Sequence, residues 1–120
     1  MSVSTAVDTS QIDLDPGQLA DWRAREPDLQ VIDVREPYER EAGQIAGSRH
    51  IGLVELTEQA PTVERERPVV FYCRVGSRSV MAAQAFRAAG FEAYSLSGGL
   101  ARWVQEGRPL QPQDGYVADH

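Results

Sequence analysis

The stretch Pro68-Val69-Val70-Phe71-Tyr72-Cys73-Arg74-Val75-Gly76-Ser77-Arg78-Ser79 decides the fold. Its first half, Pro68 to Cys73, is a continuous apolar run rich in β-branched and aromatic residues. A run of that length predicts a buried strand. Gly76 supplies the backbone freedom for a sharp turn. From about Arg78 to Ala89, Met81, Ala82, Ala85, Phe86 and Ala89 line one stripe at helical spacing, and Gly90 stands where a helix cap is expected. The stretch therefore reads as strand, tight loop and helix.

Working outward, residues 1–10 are small and polar and are expected to form an N-terminal tail. Asp15-Pro16 reads as a cap followed by proline at the first helical position, opening a helix from Pro16 to about Arg25 with Leu19 and Trp22 on one face. Leu29 to Val34 is a second buried strand. Glu36-Pro37 opens a short helical turn through Ala42, closed by Gly43. Residues 45–51 form a loop entering a short strand, 53–60 a weakly patterned helix, and Glu64-Arg65-Glu66-Arg67 a charged surface connection. Phe91 to Ser97 is a further strand. Gly98-Gly99 is a turn, and Leu100 to Gln105 a last helix ended by Gly107 and Pro109. The domain is expected to span 11–110, with 111–120 a polar C-terminal tail. Strands alternating with helices predict a parallel sheet covered by helices on both faces. Such sheets place chemistry where the carboxyl ends of strands meet the following loops. The two candidate edges are Asp33-Val34-Arg35 and Cys73-Arg74.

The chain has 120 residues and a net charge of −6, with 42% hydrophobic and 25% charged residues. That is one domain of ordinary globular composition. The acidic balance argues against a dedicated nucleic-acid binder, which needs a basic face. All 12 basic residues are arginine, so lysine Schiff-base chemistry is excluded. One cysteine, Cys73, excludes an internal disulfide and a multi-cysteine zinc site, and His50 and His120 alone build no metal centre. No cofactor or metal is expected. The N-terminus lacks a basic segment and a long apolar stretch, so no signal peptide or membrane span is expected and a cytoplasmic location is the default.

The loop after Cys73 carries the chemistry. A lone cysteine at a strand end is commonly an inert core residue. Here it is followed at once by two arginines, a glycine and two serines. Successive N–H groups in such a turn form an anion-binding nest, and the next helix presents free N–H groups and its positive end. With Arg74 and Arg78, every term favours the thiolate, which is the nucleophilic form.

Cys73-Arg74-Val75-Gly76-Ser77-Arg78-Ser79 resembles the active-site loop of the rhodanese family of sulfurtransferases, C-R-x-G-x-R-S/T. Asp33-Val34-Arg35-Glu36-Pro37-Tyr38-Glu39 resembles that family's D-V-R-E-x-x-E segment. Residues 43–51 resemble its G-H-I-P-G-A-x-H-I, and Gly98-Gly99, Trp103 and Gly107-Arg108-Pro109 resemble its closing G-G-x-x-x-W…G-x-P. The segments run in the family's order over roughly residues 12 to 110. Gln44, Ala46 and Gly52 depart from the family's usual His, Pro and Pro, all outside the cysteine loop. The resemblance implies a rhodanese-like sheet of about five strands. It also implies a persulfide mechanism, in which Cys73 takes sulfur from a donor such as thiosulfate. Cyanide, a thiol or an acceptor protein then removes it. Arg74, Val75, Gly76, Ser77, Arg78 and Ser79 are the expected substrate-binding loop, with Asp33 and Arg35 in support.

Two rivals are weighed. Thiolate phosphatases and arsenate reductases share the strand–loop–helix cradle but resemble C-x5-R, whereas Cys73 to Arg78 is C-x4-R, a smaller ring. A binding or sulfur-sensing module without turnover is the second. Its usual sign is a missing cysteine, and Cys73 is present. His50 and both tryptophans are read as scaffold. Arg74 is expected near the mouth. Arg78, a cation at a helix start, needs an anionic partner, and Asp33 on the neighbouring strand is the expected one.

Overall fold

The computed structural model describes residues 11–119, so the expected tail at 1–10 and His120 lie outside the described residues. The elements are β1 (Asp13–Leu14), α1 (Pro16–Arg25), β2 (Gln30–Asp33), α2 (Pro37–Ala42), β3 (Arg49–His50), α3 (Leu56–Gln59), β4 (Val69–Tyr72), α4 (Ser77–Ala88), β5 (Ala93–Leu96) and α5 (Gly99–Gln105). Short 3-10 turns, Leu53–Glu55 and Ala60–Thr62, flank α3. The five strands form one sheet in the order β1-β5-β4-β2-β3. Every pairing is parallel.

β4 lies at the centre because its sequence is apolar on both faces, and all four of its residues are buried. Its alternation sorts the core into two layers. Val70 and Tyr72 face a layer with Leu19, Trp22, Leu100 and Trp103, supplied by α1 and α5. Val69, Phe71 and Cys73 face the other layer, with Leu56, Ala82, Ala83 and Phe86 from α3 and α4. The alanines bring α4 close to the sheet, and Phe86 stacks edge-on against Phe71 with ring centroids 4.8 Å apart. Truncating Phe71 to alanine would cost about 3–5 kcal/mol.

α1 starts where the sequence places it. The Asp15 side chain accepts the Gln18 N–H at 2.8 Å, and the Gln18 side chain accepts the Asp15 N–H at 2.9 Å, a reciprocal cap worth about 1 kcal/mol. Three differences from the sequence reading are of interest. β1 was not foreseen; it is two residues long and exists through its pairing with β5. The segment after β3 is broken into 3-10, α and 3-10 turns instead of one helix. Residues beyond 110, read as a polar tail, are hydrogen-bonded to the body. Gln111 and Gln44 exchange backbone bonds at 2.7 and 3.0 Å, and the Tyr116 N–H reaches the Ala42 carbonyl at 2.8 Å. Among the described residues, no helix is long and apolar enough to cross a membrane.

Candidate active site

All five strands run parallel, so their carboxyl ends share one edge, where β4 delivers Cys73 directly into α4. Gly76 adopts φ +106°, the left-handed conformation the turn requires. α4 has no side-chain cap from that residue. The sulfur of Cys73 takes the capping role instead. The Gly76 N–H donates to Sγ at 3.1 Å and the Ser79 N–H at 3.4 Å. Ser79 is the third helical residue, the position whose N–H an ordinary cap would accept. The helix's free donors are thereby pointed at the thiol.

The loop is held from behind by α5. The N–H groups of Leu100 and Ala101 donate to the carbonyls of Cys73 and Arg74 at 2.8 and 3.0 Å. This fixes those carbonyls away from the sulfur. The approach is so close that a Cβ on Gly99 would lie 2.5 Å from the Arg74 carbonyl. Gly99 also has φ +62°, so glycine is required twice over. The Gly98-Gly99 pair is thus the back wall of the cysteine loop.

The remaining loop residues divide. Val75 and Ser77 are exposed. Arg74 is partly exposed and meets Asp119 at 3.3 Å. Ser79 is buried, its hydroxyl 3.5 Å from Sγ and 2.7 Å from the buried hydroxyl of Ser95. Cys73 has no exposed area, so the sulfur lies beneath the loop rather than on it. Among the described residues, no carboxylate or imidazole hydrogen-bonds to it.

The expected Arg78–Asp33 ion pair is not formed. Arg78 is bidentate to Glu39 of α2, at 2.8 and 3.0 Å. Asp33 is already consumed by Arg35, which binds it through Nε at 2.9 Å and Nη2 at 2.7 Å, with Arg40 a further 3.4 Å contact. A carboxylate two residues from an arginine in an extended turn closes on it before a distant helix can compete. The reasoning that Arg78 needs an anion holds; the anion comes from a helix, not a strand. Glu39 is fully buried. Burial pushes its carboxyl up, but the Arg78 hydrogen bonds and the Glu36 backbone N–H outweigh that and hold it below the ordinary value. Arg78 is raised by its bonds to Glu39, which outweigh the lowering effect of burial.

Asp33 and Arg35 are fully buried and form a brace under this edge. The Arg35 Nη2 also binds the Gly43 carbonyl at 2.7 Å, tying the end of α2 to β2. His50 donates from Nε2 to the Arg35 carbonyl at 2.7 Å, a scaffold contact. Tyr72 binds the Ile45 N–H at 3.1 Å and the Ser48 hydroxyl at 2.9 Å. Burial, followed by the charge of Asp33, pushes its phenol up to about 12. Sequence reasoning missed Glu39 and Ser95. Glu39 was visible as the last acidic residue of the Asp33–Glu39 segment, and Ser95 as a lone polar residue in an otherwise apolar strand.

A thiol cradled by a strand–loop–helix junction on a five-stranded parallel sheet defines a class of α/β domains built around a cysteine. A family model for the rhodanese-like domain matches residues 15–106. The chain belongs to that family. It is similar to the uncharacterized protein YqhL of Bacillus subtilis, 42% identical over 84 residues, covering 69% of this chain and 67% of that one. It is similar to thiosulfate sulfurtransferase GlpE of Pseudomonas aeruginosa, 36% identical over 91 residues, covering 75% and 79%. Two longer relatives are matched over only 14% and 25% of their own length. Among solved structures, a rhodanese-related protein of Thermoplasma volcanium superposes with a TM-score of 0.75 at 31% identity, covering 82% of this chain and 95% of that one.

Proposed function

We propose that the protein is a sulfurtransferase working through a persulfide on Cys73. The observation that carries the reading is the convergence of the Gly76 and Ser79 N–H groups on Sγ. Donors fixed in that way stabilise negative charge on sulfur without reorganising. The thiolate attacks the outer sulfur of a donor such as thiosulfate. The donor's S–S bond breaks, sulfite leaves with the bonding pair, and Cys73 carries the transferred sulfur. A nucleophilic acceptor (cyanide, a thiol or an acceptor protein) then attacks that outer sulfur, and the Cys73 thiolate departs. This is a two-step covalent route with ping-pong kinetics.

Three further observations support the reading. Relatives named as sulfurtransferases cover most of the chain. The C-x4-R ring is one residue shorter than the phosphatase pattern and suits a single sulfur rather than a tetrahedral oxyanion. Arg74, partly exposed beside the loop with an enclosed Nε that has no acceptor, offers positive charge to an anionic donor. Because Cys73 is covered, a donor reaches its sulfur only when the loop gives way, which favours slender donors.

The test is intact mass after incubation with thiosulfate. The wild type gains one sulfur and releases sulfite, and Cys73→Ser gains none while remaining folded. No added sulfur on the wild type, together with turnover of an aryl phosphate, would replace this reading with the phosphatase one.

A further inference from the structure

The geometry points to Ser95 as a positioning residue for the nucleophile: it aims the Ser79 hydroxyl at the Cys73 sulfur. This rests on the reading that Cys73 works as a thiolate. Ser95 lies on β5 between β1 and β4, on the same face of the sheet as Ala93 and Cys73, and it is fully buried. Its hydroxyl has one hydrogen-bond partner among the described residues, the Ser79 hydroxyl at 2.7 Å. A buried O–H left undonated is unfavourable, so the Ser95 proton goes to the Ser79 oxygen.

That assignment excludes Ser95 as an acceptor for Ser79. The Ser79 proton then has two places to go, the Gly76 carbonyl at 3.3 Å and the Cys73 sulfur at 3.5 Å. With a neutral thiol, the S–H donates to the Ser79 oxygen and the Ser79 proton rests on Gly76. With a thiolate, the Ser79 proton swings to sulfur and becomes the third donor beside the two backbone N–H groups. Ser95 polarises that donor, as in any chain of hydroxyls, and keeps it from turning away into the sheet. The device acts only on the anion. Once Cys73 carries a second sulfur, the charge has moved outward and the Ser79 proton returns to Gly76.

The experiment is a double-mutant cycle of Ser79→Ala and Ser95→Ala, read as the pH midpoint at which the ultraviolet absorbance of the thiolate appears. Ser79→Ala should move the midpoint up by about one unit, the size of one lost hydrogen bond to a charged group. Ser95→Ala should move it up by about 0.1–0.3 unit, the share due to cooperative polarisation. Ser95→Thr keeps the hydroxyl on a β-branched frame and should restore the wild-type midpoint. In the Ser79→Ala background, Ser95→Ala should add no shift. The charged groups facing the loop, Arg74 and the Arg78–Glu39 pair, are the same in all variants. A folded Ser95→Ala variant with an unmoved midpoint overturns the inference. So does a Ser95→Ala shift that persists in the Ser79→Ala background, or one that Thr fails to rescue. The readout needs no sulfur donor. If the wild type fails to load sulfur while these shifts are seen, the sulfur-transfer reading falls and the positioning role stands.

Discussion

Replacing Glu39 with alanine should do far more damage than its place on a six-residue helix suggests. Glu39 has no exposed side-chain area and Arg78 is 13% exposed, so the pair sits out of water. Removing one partner of such a pair costs about 3–5 kcal/mol, because the other charge is left uncompensated. The Glu36 N–H, bound to the Glu39 carboxylate at 2.9 Å, also loses its acceptor. A domain of this size holds about 5–15 kcal/mol in total, so Glu39→Ala should lose a large share and drop Tm by roughly 10–20 °C. Glu39→Gln keeps one acceptor oxygen for the Glu36 N–H and one Arg78 N–H but loses the second Arg78 bond, and should cost less than Glu39→Ala. The sign with pH follows from the direction of the shift. Glu39 is held below its ordinary value of 4.5 in the fold. Its contribution is complete above that value and drains away as pH falls below it toward the folded value. The wild type should therefore lose stability below about pH 4.5 with a slope that Glu39→Gln lacks. Urea unfolding of Glu39→Ala, Arg78→Ala and the double variant is the assay. The double should cost clearly less than the two singles together. Additivity within about 0.5 kcal/mol would refute the coupling.

Tyr72→Phe should cost about 1–3 kcal/mol near neutral pH by stranding the Ile45 N–H. Because the Tyr72 phenol is pushed up to about 12 from an ordinary value of 10, its contribution is present below 10 and lost between 10 and 12. Urea midpoints should show the gap between wild type and variant closing across that window. Gly99→Ala should cost about 2–5 kcal/mol from left-handed strain and overpacking, and sulfur loading measured by intact mass should fall with it. Gly107→Ala is its control, with φ +80° but nothing within 4 Å of a Cβ, and loading should be unchanged. Arg74→Ala should raise KM for thiosulfate severalfold with little change in kcat, and added salt should move the wild type the same way. A fall in kcat alone would count against a donor-attracting role.

The centre of the fold was legible because its signals are contiguous. Val69 to Tyr72 read as a buried strand and Gly76 as a turn, and both stand; of the expected α4 stripe only Ala82 and Phe86 face the sheet, with Ser79 and Ala83 beside them, while Met81, Ala85 and Ala89 are exposed. α1 announced itself through Asp15-Pro16, whereas the part Gln18 plays in its cap emerged only from the structure. β1 was hidden because two residues carry no periodicity; Asp13 and Leu14 become a strand only when β5 stands beside them. The ion pairs were half legible. A cation at the start of α4 signals that an anion must be near, but which carboxylate arrives is settled by competition in space. Arg35 is two residues from Asp33 and closes on it through three hydrogen bonds, including one from its own backbone N–H at 3.0 Å. Glu39 is left for Arg78. Ser95 stood out only as a lone polar residue in an apolar strand; that its partner is Ser79, 16 residues away, no spacing or charge marks.

The capping of α4 by sulfur has a consequence for how such a protein can diversify. Two donors to Cys73 belong to the main chain, and the carbonyls behind them are pinned by α5. The side chains of Val75 and Ser77 play no part in that arrangement and point outward, Val75 with half its surface in solvent. The contacts to the sulfur and the outward-facing side chains therefore lie on separate parts of the same seven residues. The two main-chain donors to the sulfur do not depend on the side chains at 75 and 77, so those two positions can change without altering them. A library randomised at 75 and 77 alone should change which molecules take sulfur from the loop without disturbing the thiol that carries it.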